Sequence, residues 1–360
     1  MTAAPLEYGP LVRALLRRAA ADRQPAHGTF ELTRRCNLSC RMCYVRHPAG
    51  DRTQAARELP ASAWLELARQ SAAGGMAFLL LTGGEVFVRR DFFEIYEPLT
   101  RLGLVLALFT NGTLITRDVA ARLAKAPPSR TEITLYGATA ATAEAVTGVP
   151  GSHAAVCAGI EALVSFGVPL GLKTTLTRKN AGELEAMRRM ACEWGVPFSA
   201  SWLLSRRPDG ASSGAEDDRL SASEGVALEA SDQASADEWT EIALKEEAAG
   251  GAGSFACRGG KAAFLIDAAG NMNVCSLLPR PAARPLEAGF AEAWKNVCRY
   301  VDDAPPASPE CRSCAARAYC GRCPAWSMME AGTMAGPVPY LCEIARARMD
   351  RQARSGRSGR

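Results

Sequence analysis

Between residues 29 and 203 the sequence repeats one unit, a short β-rich run followed by a stretch with helical spacing. The β-rich runs are 29–33, 76–82, 104–110, 131–136, 169–176 and 197–203, and the helical stretches between them are 62–73, 92–102, 118–125, 153–166 and 182–194. Alternation with short connections implies parallel strand pairing through right-handed crossovers, so the fold class is α/β. Six units give an open partial (β/α)6 barrel rather than the closed eight-fold form. A chain of 360 residues is longer than one core supports. It divides into an N-terminal extension 1–28, the partial barrel 29–205, a linker and bridging helix 206–256, a small cysteine-rich α+β domain 257–345 and a basic tail 346–360.

Composition excludes several classes. With 48% hydrophobic and 22% charged residues the chain can bury enough apolar surface to fold. The longest apolar runs, such as 102–109, are far short of the roughly 18 residues a bilayer span needs, and no signal peptide opens the chain. A soluble, cytoplasmic protein is expected. The net charge of +4 is carried by Arg351, Arg354, Arg357 and Arg360 in the tail, where no acid accompanies them. That surplus reads as a solvated end, and neither a nucleic-acid nor a membrane partner is expected. The linker acids Asp209, Glu216, Asp217 and Asp218 read as a solvated loop, with a helical segment at 223–248 after them.

Thirteen cysteines and only three histidines, His27, His47 and His153, mean that any metal here is held by sulfur. An odd count in a long chain without a secretion signal speaks against a disulfide scaffold. Soft thiolate ligands point to iron-sulfur clusters or to zinc. Cys36, Cys40 and Cys43 stand with three and then two residues between them, directly after the first β-rich run. Three thiolates are one too few for a cubane of four irons, which leaves one iron with an open position. The loops after the strands' C-terminal ends are also where such barrels carry their active sites. The other readings are three unrelated cysteines or a zinc site lacking its fourth ligand. Thr82-Gly83-Gly84-Glu85 follows the second run. Paired glycines admit a ligand where a Cβ would collide, and the carboxylate can accept from an ammonium group.

Cys36-x3-Cys40-x2-Cys43 with Tyr44 next, and then Gly83-Gly84-Glu85, resembles the radical S-adenosylmethionine (SAM) enzymes. The resemblance implies that the three cysteines hold a [4Fe-4S] cluster whose fourth iron binds the amine and carboxylate of SAM. It implies that Gly83, Gly84 and Glu85 hold the methionyl amine and that Met42 or Tyr44 lies near the adenine. Asn111, in Thr110-Asn111-Gly112, and Thr134 are further matches to its SAM-binding positions. Val86 stands where the family usually has Pro, and Tyr136 where it usually has Asp before glycine. Tyr136 then either points to the barrel mouth as a polar handle or packs as a strand residue.

In the C-terminal domain Cys257 precedes twelve residues, Gly270, four residues and Cys275, and a second group runs Cys311-x2-Cys314-x5-Cys320-x2-Cys323, with Cys342 after eighteen intervening residues. This is similar to the SPASM extension of radical SAM proteins, which binds two auxiliary [4Fe-4S] clusters. By that resemblance Cys311, Cys314, Cys320 and Cys342 hold one cluster, and Cys257, Cys275 and Cys323 the other with three ligands. Cys298, in an expected helix 286–300, is the other cysteine that could close the second, or a buried free thiol. Cys157 and Cys192 read as core residues of barrel helices. A single zinc on two Cys-x2-Cys pairs is the competing reading of this segment. A β-hairpin is expected from 263–267 and 271–275, turning at Gly270.

The resemblance implies reductive cleavage of SAM to methionine and a 5′-deoxyadenosyl radical, which takes hydrogen from the substrate. It favours a ribosomally made peptide that is oxidised or cross-linked, with a flavodoxin or ferredoxin as reductant. The stretch before residue 29 is short for a leader-recognition domain, so a separate recognition protein is a further expected partner. The alternatives are a side-chain oxidase like the sulfatase-maturating group, a small-molecule cofactor-biosynthesis enzyme, or a non-catalytic electron carrier. No catalytic acid or base is legible.

Overall fold

A computed structural model describes residues 8–45, 47–210, 214–231, 255 and 257–355. The expected helix beyond residue 231 and the tail arginines Arg357 and Arg360 lie outside the described residues. Six parallel strands form the body of one sheet: β1 (His27–Glu31), β2 (Phe78–Thr82), β3 (Val105–Thr110), β4 (Arg130–Thr134), β5 (Leu170–Thr175) and β6 (Phe198–Ser201). On the other flank of β1, β7 (Ala263–Ile266) pairs with it in parallel, and β8 (Met272–Cys275) and β9 (Leu278–Ala283) follow antiparallel. The order is β9-β8-β7-β1-β2-β3-β4-β5-β6, and the end strands do not pair among the described residues. The cysteine-rich segment therefore extends the barrel wall.

Alternation decides the faces. Leu79 and Leu81 of β2, Leu106 and Leu108 of β3, and Ile133 of β4 point to the crossover helices and are buried. Helix α1 (Ala61–Ala73) lays Trp64, Leu67, Ala68 and Ser71 on this layer at helical spacing, with the Trp64 ring 5.0 Å from that of Phe30. Helices α2 (Phe92–Leu99) and α3 (Arg117–Lys125) cover the next strands. Two helices, α4 (Ala140–Thr147) and α5 (Ser152–Ser165), fill the crossover where one was expected. The extra helix is alanine-rich and presents no apolar stripe to read, although a Thr139 side-chain cap starts it and Gly148 in the left-handed region ends it.

Several expectations are corrected. Cys192, read as core, is exposed, because α6 (Leu184–Glu193) buries Leu184, Met187 and Ala191 and the next residue turns about 100° away. Of the linker acids, Asp209, Glu216 and Asp217 are exposed and paired with Arg207, Arg206 and Arg41, whereas Asp218, read as solvated, is buried and faces Lys179. The hairpin carries a third strand, β9. After α7 (Ala222–Ser231), the helix expected at 286–300 is a single turn, Pro285–Ala288, and then α8 (Phe290–Asp302), the two broken at Gly289 with its positive φ of 83°.

Phe264 of β7 is 2% exposed, with ring centroids 5.3 Å from Phe290 and 6.1 Å from Trp294 of α8, and the Trp294 indole donates to the Arg23 carbonyl at 2.8 Å. This cluster fastens the C-terminal strands to the barrel. Phe264→Ala is expected to cost about 3–5 kcal/mol, read by chemical denaturation. A loss below about 1 kcal/mol would refute a packed junction.

Candidate functional site

Three loops at the C-terminal ends of β1, β2 and β3 build the site. The first is closed by a two-residue parallel bridge between Arg35–Cys36 and His47–Pro48. Within it, the Cys36 sulfur accepts from the Leu38 N–H at 3.4 Å and from Asn111 Nδ2 at 3.6 Å, and the Cys43 sulfur from the Val45 N–H at 3.4 Å. Cys36, Cys40 and Cys43 lie close enough to raise one another's pKa, and burial does so more strongly: Cys36 is pushed up to about 11, and Cys40, 8% exposed, further. Neutral donors and burial make three thiolates costly here unless cationic metal shares the pocket.

The second loop lies directly on the first. The Gly84 N–H donates to the Thr33 carbonyl and the Glu85 N–H to the Arg35 carbonyl, both at 2.8 Å. A Cβ at Gly83 would stand 2.3 Å from the Thr33 oxygen, and one at Gly84 2.4 Å from the Arg35 oxygen. The glycines are therefore demanded by the cysteine loop itself. Glu85 is 1% exposed and accepts from the Phe87 N–H (3.1 Å), the Thr110 hydroxyl (2.8 and 2.9 Å) and the Asn111 N–H (2.6 Å). Its carboxylate joins the second and third loops. Burial raises its pKa while those donors oppose the shift. Val86, in the position of the family's usual Pro, is fully buried behind it.

The third loop returns to the first. The Asn111 amide donates to Asn37 Oδ1 at 2.9 Å as well as to Cys36, and Asn37 Nδ2 donates to the Thr113 hydroxyl at 2.8 Å. Asn37 was not singled out from sequence; its place beside Cys36 was the available signal. Outside the loops, Glu58 holds Arg35 at 2.8 and 2.9 Å, and buried Arg89 ties the carbonyls of Leu32 and Leu59, both at 2.9 Å, to Asp91.

Met42 is buried in a small apolar cluster with Leu38, Cys40, Val146, Leu204 and Ala215. Tyr44 lies near Cys43 and, in the C-terminal segment, Cys275 and Ser276, and burial raises its pKa. Thr134 ends β4 opposite Lys173 of β5. Tyr136, two residues past that strand, packs on the cluster that holds Cys40 and Met42, and burial raises its pKa.

The C-terminal cysteines form two groups. Cys275, at the end of β8 and pushed up to about 11 by burial, is close to Cys323 and Cys257. Cys323 is the N-cap of α9 (Pro324–Ala331); burial raises its pKa, and the N–H groups of Trp326 and Ala325 oppose the shift. Cys320, also pushed up to about 11 by burial, is close to Cys342, Cys311 and Cys314. These four line a cavity of about 600 Å³ whose wall includes Lys261, Arg312, Arg317, Arg322 and Arg346. Cys298 joins neither group; its charged neighbours are Arg23 and Asp302. Among the described residues no set of three or more His, Cys, Asp or Glu side chains is arranged to hold a single metal ion. The donor sets, three thiols, three thiols and four, are all soft sulfur and suit iron-sulfur cores chemically.

A family model described as the Radical SAM superfamily matches residues 30–191. Over 338 residues, 86% of this chain and 94% of the relative, the sequence is 29% identical to an AdoMet-dependent heme synthase of Methanosarcina barkeri. Over 325 residues, 86% of each chain, it is 29% identical to a mycofactocin maturase of Mycobacterium ulcerans. The fold matches Streptococcus suis SuiB bound to S-adenosylmethionine with a TM-score of 0.67 at 14% identity, covering 94% of this chain and 82% of that one. The same protein is also known bound to its precursor peptide SuiA.

Gly84→Ala forces a Cβ onto a backbone oxygen that cannot turn aside, whereas Gly182 has nothing within 4 Å of the same added atom. Gly84→Ala is expected to destabilise the chain by about 1–3 kcal/mol and Gly182→Ala to leave it nearly unchanged. Equal denaturation midpoints for the two variants would refute the loop-on-loop packing.

Proposed function

We propose that this chain is a radical SAM enzyme that oxidises or cross-links a ribosomally made peptide, using one SAM-binding [4Fe-4S] cluster and two auxiliary clusters; the family model over residues 30–191 supports it. Cys36, Cys40 and Cys43 hold the first cluster. Bound together, cluster and SAM would supply a 5′-deoxyadenosyl radical that abstracts hydrogen. Gly83, Gly84, Glu85, Asn111 and Thr134 stand at the strand ends where SAM would lie, and Glu85 also joins the loops there. Cys311, Cys314, Cys320 and Cys342 hold one auxiliary cluster, where the surrounding cations offset the charge of four thiolates. Cys257, Cys275 and Cys323 hold the other, with no fourth cysteine near it.

The observation that carries this reading is the sorting of ten cysteines into these three groups around one sheet. A peptide substrate is supported by the likeness to a mycofactocin maturase along 86% of the chain. It is supported too by the unpaired flank of β6, where Ser199, Ala200 and Ser201 are exposed. The similarity to a heme synthase favours a second reading, a small-molecule substrate. All thirteen cysteines are free, which suits a reducing cytoplasm and a flavodoxin or ferredoxin as electron donor. No helix among the described residues is long and apolar enough to cross a membrane. A separate leader-recognition protein would bring the peptide to the open flank.

Anaerobically reconstituted protein is expected to carry about twelve irons, and with dithionite and SAM to release 5′-deoxyadenosine. Replacing Cys36, Cys40 and Cys43 by alanine should leave about eight irons and abolish that product. Colourless, zinc-loaded protein would sink the reading. Mass spectrometry after incubation with a short peptide encoded beside the gene separates the substrates: loss of hydrogen or carbon dioxide from the peptide supports the first, and an unchanged peptide the second.

A further inference from the structure

We infer that the cavity behind the first cysteine loop, with Arg52 and Arg90 exposed in its wall, is the docking surface for an acidic one-electron carrier protein. The inference rests on the reading of Cys36, Cys40 and Cys43 as cluster ligands. It is carried by where the cavity lies and by which of its charges are engaged and which are free.

The position follows from one short strand. Arg35 and Cys36 form a two-residue parallel bridge with His47 and Pro48, and successive side chains of a strand leave opposite faces. The Cys36 sulfur accordingly meets the Leu38 N–H and the Asn111 amide, whereas the Arg35 guanidinium turns the other way, to Glu58 and the Ala49 carbonyl. There it lines a cavity of about 540 Å³ together with Gly50, Arg52, Val88, Arg89 and Arg90. Consecutive Cα atoms are about 3.8 Å apart, so one thickness of backbone separates this cavity from a cluster ligand. A partner seated here approaches the cluster from behind and leaves the barrel mouth open to SAM and substrate.

The inner charges of the cavity are engaged with one another. Arg35 donates to both Glu58 oxygens at 2.8 and 2.9 Å and to the Ala49 carbonyl at 3.0 Å. Arg89 donates to Asp91 at 3.0 and 2.7 Å and to the Leu32 and Leu59 carbonyls, both at 2.9 Å. The third acid in the wall, Asp51, accepts from the Gln54 N–H at 3.0 Å. A small anion would therefore meet no free guanidinium inside.

The free charges are the exposed ones. Arg52 opens the turn Arg52–Ala55 and Arg90 follows the loop that carries Glu85; both side chains are exposed, with no hydrogen bond or ion pair among the described residues. Guanidiniums held in solvent at the edge of a concavity suit the carboxylates of a partner's surface, where they speed encounter and fix orientation. Water and salt screen them from the sulfurs on the far side of the strand, so they act on the partner rather than on the cluster. In the encounter the reduced carrier loses one electron and the first cluster gains it, with no bond broken and no proton moved.

The test compares two electron sources for one product. Reconstituted holoenzyme with SAM is driven either by flavodoxin, an acidic flavoprotein kept reduced by its reductase and NADPH, or by excess dithionite, and 5′-deoxyadenosine is measured. Arg52→Glu/Arg90→Glu should lower the flavodoxin-driven rate at least about tenfold at low ionic strength, through a raised KM for flavodoxin. The difference should narrow at about 1 M salt, where the Debye length is about 3 Å. The dithionite-driven rate should stay at the wild-type value. Arg13→Glu/Arg17→Glu makes the same change of net charge on the helix Tyr8–Ala21, which leads into the opposite end of β1, and should leave both rates unchanged. A flavodoxin-driven rate in Arg52→Glu/Arg90→Glu equal to wild type overturns the inference, as does an equal loss in the Arg13 and Arg17 pair. If the glutamates also lower the dithionite-driven rate, Arg52→Gln/Arg90→Gln decides by the ratio of the two rates, and a wild-type ratio overturns the inference. Wild type that responds to dithionite but not to flavodoxin overturns it too, whereas wild type that responds to neither overturns the cluster reading itself.

Discussion

A carboxylate without a cation holds the mouth of this barrel together. Glu85 is almost wholly out of water, and the side chain hydrogen-bonded to it is a threonine hydroxyl, not an arginine or lysine. Burying such a group is costly, and here the cost is offset by two backbone N–H groups and the Thr110 hydroxyl, converging from two loops. That convergence is what gives it architectural value. Moving either loop leaves a buried charge with unmatched oxygens, so the two loops hold one relative position. The glycines then press the second loop onto the carbonyls of the first, and the cysteines inherit their orientation from that contact.

The three cysteine groups meet the problem of gathering thiols in three different ways. The first is supplied by neutral donors: backbone N–H groups and an amide. The second has Cys323 at a helix N-terminus, where free N–H groups favour negative charge. The third sits in a cavity with five cationic residues in its wall against two acids, Glu310 and Glu343. A core that must remain hard to reduce benefits from little positive charge nearby, and a four-thiolate core needs more of it. The surroundings therefore follow the number of sulfurs each group contributes.

Much of this was legible in the sequence for a local reason. The barrel strands carry a period of two against helices of period 3.6, and each expected strand overlaps the observed one. The division of the cysteines followed from their spacing and the resemblance. What was not legible depends on partners distant in the chain. Nothing in residues 263–266 announces parallel pairing with 27–30, because the register is set by packing against Phe290 and Trp294. Pro279 and Pro281 are poor strand residues, and β9 tolerates them at the sheet edge. At Glu85 a motif shows that a carboxylate is present but not the hydroxyl and N–H groups of another loop that meet it.

Sheet continuity also fixes how the first two cysteine groups relate. β7 lies between β1 and β8, so strands that lead to the two groups are about 10 Å apart across the sheet. Cys275 ends β8, and Tyr44, one residue beyond Cys43, lies near both Cys275 and the next residue, Ser276. A side chain of the first loop thus approaches the strand end that carries the second group. Had the C-terminal segment been a separately folded domain, that separation would vary with every motion of the linker. Built as a wall of the same barrel, the segment keeps its cysteines at a distance set by hydrogen-bonded strand spacing, which is among the least adjustable lengths in a protein.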